Sequence, residues 1–154
     1  MAASVDLCCE LIREYLEDRL DDPTIVYAIK ESPQIEINDR DKGTMLDNLN
    51  IIIVPMNYEV GDSLTRSEEF FVVRLGLIIA QRYALDQSIP FDAFIREKKE
   101  FVEKEIFFPI YEEEYFDDYE IISIVNLVAS DADMAREYKV FYSELEITLR
   151  TIIS

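Results

Sequence analysis

The chain has 154 residues, 49% of them apolar, with nine Phe, nine Tyr and no Trp, which is enough for one domain around one core. Three glycines and five prolines exclude fibrous and low-complexity classes. The 33 acidic side chains outnumber the 15 basic ones, for a formal charge of −18. That balance repels phosphate backbones and anionic headgroups, so the expected partners include neither nucleic acid bound by direct sequence-specific contact nor a membrane.

Residues 1–15, MAASVDLCCELIREY, lack the basic start and the long apolar run of a signal peptide. Leu7, Cys8, Leu11, Ile12, Tyr15, Leu16 and Leu20 recur at helical spacing, which predicts a helix over 4–20 with Ser4 or Asp6 as its N-cap. Asp21–Pro23 stops it. The β-branched and aromatic run 24–31 reads as a short strand, and the polar stretch 32–48 as a surface loop. Leu49–Pro55 is almost wholly apolar, so a strand buried on both faces or central in its sheet is expected there, ended by Pro55.

The next strand, over 69–83, places Phe71, Val73, Leu75, Leu77 and Ile79 on one apolar face. Phe70, Val72, Arg74, Gly76 and Ile78 occupy the other, with Gly76 marking a bulge or a close approach. It is expected to pair antiparallel with 51–54. Helical period returns over 88–108, with Ser88 as the candidate N-cap, Pro90 in the first turn and Pro109 as the stop. Segment 111–119, YEEEYFDDY, reads as a solvated connection pinned by its aromatics. A strand over 120–130 follows, then a turn or short helix, then an alternating strand with Phe141, Leu145, Ile147 and Leu149 inward. This order predicts an α+β fold of one domain and two layers. Its mostly antiparallel sheet of four to five strands is flanked by two main helices and carries a long β-hairpin arm at about 56–69.

No histidine is present, which removes the commonest general base and metal ligand. Cys8 and Cys9 are adjacent and point about 100° apart on a helix, so no disulfide is expected; Cys8 is assigned to the core. Segment 37–43 resembles a calcium loop, but with Gly43 at the sixth position Asn38, Arg40 and Lys42 fall where ligands belong, and Leu49 where the bidentate Glu belongs. Acidic groups 112–114, 117–118 and 131–133 lack companion spacing. With three scattered glycines no phosphate-cradling loop can form. The expectation is a protein with no catalytic residues, no metal and no cofactor.

What remains is interaction. The connection between the two central strands far exceeds the two to five residues a hairpin needs. It alternates apolar with polar residues, and the expected oligomer interface comprises Tyr58, Val60, Asp62, Leu64, Thr65, Arg66 and Glu68.

Several stretches together resemble a family: LIREYLEDRL at 11–20, IIIVPMNYEV at 51–60, SLTRSEEFFVVRLGLIIAQRY at 63–83 and REYKVFYSELEITLRTI at 136–152. Their order is similar to that of the tail-completion or tail-terminator proteins of long-tailed bacteriophages and prophages. The resemblance implies an α+β subunit that forms a homo-oligomeric, commonly hexameric, ring on the head-proximal end of the tail tube. There it would stop tube growth and join the tail to the head connector, in the virion and, during assembly, in the host cytoplasm. A different class, an acidic immunity protein, inhibitor or DNA mimic, fits the charge alone.

Overall fold

The computed structural model describes residues 5–31, 47–62, 69–84 and 88–153, with only the backbone described for residues 61, 62, 69, 152 and 153. Two long alternating strands form the middle of its sheet. β3, Glu69–Arg82, pairs antiparallel with β6, Val140–Ile153, along its whole length, from Glu69 opposite Ile153 to Arg82 opposite Val140. β2, Asn50–Asp62, lies antiparallel on the other side of β3. The short β1, Val26–Ile29, adds parallel to β2, while β5, Tyr119–Val128, and the two-residue β4, Tyr115–Phe116, extend the β6 side. The result is an α+β fold on a mixed, curled six-stranded sheet in the order β1-β2-β3-β6-β5-β4.

Six strands replace the expected four to five. The addition is β4, closed by the Asp117–Asp118 turn with Asp117 at φ 55°; β1 falls inside the short strand expected over 24–31, and its parallel pairing makes the sheet mixed. Three helices replace the expected two. α1 spans Val5–Leu20 and stops before Asp21 at φ 45°, as Asp21–Pro23 predicts; Asp6 lies inside its first turn, and Ser4 falls outside the described residues. α2 begins as an α-helix over Phe91–Phe101, widens to a π turn over Val102–Phe107 and finishes as α-helix over Phe108–Glu113. α3, Ala132–Tyr138, is capped by Asp131, whose Oδ1 accepts from Met134 N at 3.0 Å.

Both prolines expected to end an element are passed through, for identifiable reasons. In the parallel ladder Lys30 N donates to Ile53 O at 3.0 Å, and the next bond would run from the N of residue 55 to Lys30 O. Proline cannot donate it. Pro55 therefore ends the β1 pairing and leaves β2 to continue, because its missing N–H faces the sheet edge and costs no bond to β3. Pro109 likewise sits inside α2. The carbonyl four residues earlier, on Glu105, is deprived of its α-helical donor and accepts instead from Arg19 Nε on α1 at 3.2 Å. Phe108 N already donates five residues back, to Glu103 O, so the widened turn absorbs the proline without breaking the helix. Ser88 does not cap α2; Pro90 takes that position with no side-chain hydrogen bond.

One face of the sheet carries the core. Ile51 and Ile53, the odd residues Phe71–Ile79 of β3, and Phe141, Leu145, Ile147 and Leu149 of β6 pack beneath Cys8, Cys9, Ile12 and Leu16 of α1 and Phe94, Val102, Ile106 and Ile110 of α2. The alternation expected for β3 and β6 is thus borne out. Of the acidic 111–119 segment, residues 111–113 close α2 and 115–119 form the β4–β5 hairpin rather than an open connection. Its aromatics do anchor it: Phe116 and Tyr119 are buried, and the Phe116 ring meets Tyr15 edge-on with centroids 5.0 Å apart.

Candidate interaction surface

Past Pro55 a bulge between Pro55 and Asn57 shifts the register by one residue. After it Asn57 faces Arg74, Tyr58 faces Val73 and Val60 faces Phe71, so Tyr58 and Val60 join the helix-side face of the sheet. Among the described residues no helix covers them: Tyr58 is 62% and Val60 56% exposed. Tyr58 is nevertheless held in place, its ring centroid 5.1 Å from that of Phe71. On the opposite face Arg74 reaches Glu59 at 3.4 Å, and the Arg150 guanidinium lies 4.8 Å from the Phe70 ring centre while bonding Glu120 at 3.1 Å. These pairs brace a three-stranded extension of β2, β3 and β6 rather than a loose loop.

Of the seven residues expected at an interface, Tyr58 and Val60 lie exposed together on this arm. Asp62 pairs by backbone register with Glu69. Leu64, Thr65, Arg66 and Glu68 lie outside the described residues, as do Ser32–Leu46 with the segment weighed as a calcium loop.

A second surface was not anticipated. The outer face of the sheet holds Ile52, Val54 and Ile78 with Tyr142, and beside them Ala80 and Val140; these clusters contain strand residues only. A groove of about 150 Å³ crosses this face over Gly76, between Met56 and Leu127. Met56 is 49% and Leu127 52% exposed. Glu144 on its wall is the acceptor for Tyr142 Oη at 2.6 Å; burial, and after it this bond, raises the Tyr142 pKa. Gly76 itself pairs regularly, opposite Val54 and Glu146, so the bulge lies one strand away at Met56 and the glycine marks a close approach: a Cβ there would stand 3.7 Å from Met56 Sδ. The sequence offered two separate hints, an isolated strand glycine and the uncharged run 121–128 in a chain with 31% charged residues, and nothing in it joins them into a groove.

Both thiols are buried free cysteines, and burial pushes each up to about 12 from 9.0; for Cys9 the neighbouring Cys8 and Asp6 add to the rise. Asp133 pairs with Arg136 at 2.7 Å. Among the described residues no group of His, Cys, Asp or Glu is placed to hold a metal ion, and no helix is long and apolar enough to cross a membrane. Compared with known proteins, the chain matches no family model, and no curated protein sequence matches it.

Proposed function

We propose that this chain is a structural subunit of a phage or prophage virion: a tail-terminator or tail-completion protein that closes into a ring, commonly of six copies, on the head-proximal end of the tail tube and offers a face to the head connector. The observation that supports this reading is the arm. A braced strand extension presenting Tyr58 and Val60 beyond the reach of any helix is costly for a lone subunit and useful to one that docks on copies of itself. Heterologous contacts that close on rotation need a projecting element on one side and a receiving surface on the other. The charge of −18 suits a ring whose bore passes DNA without gripping it. No catalytic role, metal or cofactor enters this reading.

Electron microscopy and sedimentation of the purified chain, alone and mixed with tail tubes, test it. Rings, or tubes capped at one end, are expected. A chain that stays monomeric at high concentration and ignores tubes overturns the proposal.

One observation favours a second reading, an acidic inhibitor or DNA mimic. Between the end of α2 and β5 lies a cleft of about 510 Å³ lined by Glu112, Glu114 and Glu120 with Tyr111 and Tyr115, a surface suited to cationic side chains. That reading requires salt-sensitive one-to-one binding to a basic protein in place of self-assembly.

A further inference from the structure

We infer that the arm of one copy seats Tyr58 in the Gly76 groove of the next, so that self-association runs head to tail through two different patches. The inference rests on the ring reading above and names the surfaces that close the ring.

Four observations meet here. The groove of about 150 Å³ is of the size that accommodates one benzene-sized ring in an apolar protein cavity. Its floor is backbone because residue 76 has no side chain, and no left-handed φ explains the glycine, since no described glycine has positive φ. A strand glycine of ordinary conformation costs stability for lack of packing and marks where another group approaches. Met56 Sδ, at 3.7 Å, supplies part of that approach yet leaves the groove open.

Tyr58 is an aromatic side chain already ordered against Phe71, so docking it costs little further freedom. The groove also carries no unpaired carboxylate, its one acidic side chain being hydrogen-bonded to Tyr142.

The two patches lie on opposite faces of the sheet: Tyr58 and Val60 on the helix side, Gly76, Val54 and Ile78 on the outer side. In the head-to-tail arrangement inferred here each copy gives its arm to one neighbour and its groove to another, a heterologous contact of the kind that generates rings.

Mixing experiments on the full chain read this directly by sedimentation velocity, with folding checked by circular dichroism. Tyr58→Asp removes the arm's anchor, and Gly76→Val fills the groove with a residue favoured in strands. Each variant alone should sediment as a monomer at concentrations where the unmodified chain assembles. An equimolar mixture should stop at a one-to-one heterodimer, because the Gly76→Val copy still offers an arm and the Tyr58→Asp copy still offers a groove.

Should either variant fail to fold, Val60→Asp and Leu127→Asp replace them with the same readings. Variants that assemble like the unmodified chain, or a mixture that remains monomeric, overturn the arm-in-groove contact while leaving the ring reading standing. An unmodified chain that is monomeric both alone and with tail tubes overturns both.

Discussion

The helix side and the outer side of this sheet use the same strands to opposite ends. On the helix side every odd residue from Val73 to Ile79 is fully buried, under helices whose own apolar stripes complete the packing. On the outer side Ile52, Val54 and Ile78 are also buried, at 5%, 9% and 4% exposure, and among the described residues their cluster contains strand residues alone. Beside them Met56 and Leu127 remain 49% and 52% exposed. One side stabilises the subunit, and the other keeps apolar surface in reserve. The difference teaches that an all-apolar strand such as Ile51–Val54 need not lie between two layers of the same chain; a second layer can belong to a neighbour.

The sharpest probe of the helix side is alkaline pH, and it carries the largest expected effect. Cys8 and Cys9 titrate near 9.0 when unfolded and near 12 when folded, because burial disfavours the thiolate. Tyr27 is raised likewise, from 10.0 to about 12, by burial and then by Glu17 and Asp22. A raised acid holds its proton in the folded state while the unfolded chain releases it, so the contribution to stability is complete below pH 9 and disappears as pH climbs from about 9 toward 12. Urea unfolding between pH 7 and 11 should show midpoints falling steeply above 9, and Cys8→Ala with Cys9→Ala should flatten that limb. The same thiols should ignore a thiol-specific reagent at pH 8 until the chain is unfolded; rapid labelling of the native protein would mean that α1 does not stay packed on the sheet.

Removing a side chain under the helices ranks next. Phe94, 2% exposed, packs its ring 5.3 Å from Tyr83 and beneath Lys98. Phe94→Ala should lower the unfolding free energy by about 3–5 kcal/mol, measured by urea titration. A loss below about 1 kcal/mol would show that α2 is not fastened to the sheet through this residue.

How much of this was readable from the residues depends on which force decided each element. Period-two runs of large apolar side chains fix β3, β6 and the inner half of β2, because burial of one face selects their register; the antiparallel pairing of 51–54 with the following strand came from the same logic. Both prolines misled, since a proline's effect depends on which side its missing N–H faces, and that is known only once neighbours are placed. Pro55 faces an open edge, and Arg19 compensates for Pro109 by bonding the Glu105 carbonyl, 86 residues from it in sequence. Chain order showed the exposed arm through its length and alternation, and Tyr58 and Val60 follow from it. The outer groove was not readable in advance: Met56, Gly76 and Leu127 belong to three separate stretches, and two bulges, at Ile121/Ser123 and Asn126/Val128, break the alternation that would have assigned β5 its faces.

The smallest predicted change separates the two faces most cleanly. A Cβ at residue 76 would stand 3.7 Å from Leu145 O and Met56 Sδ and 3.8 Å from Val54 Cβ, ordinary contacts that nothing must move to accept. Alanine also loses less backbone freedom on folding than glycine. Gly76→Ala should therefore raise the unfolding free energy of the isolated subunit by about 0.5–1 kcal/mol, read as a higher urea midpoint with unchanged slope. A comparable methyl forced into the helix side would overpack and cost stability instead. If Gly76→Ala destabilises the monomer, the outer face is as closely filled as the inner one and has no room for a neighbour's side chain. A gain in stability accompanied by weaker self-association would identify the glycine as a concession to docking rather than to folding.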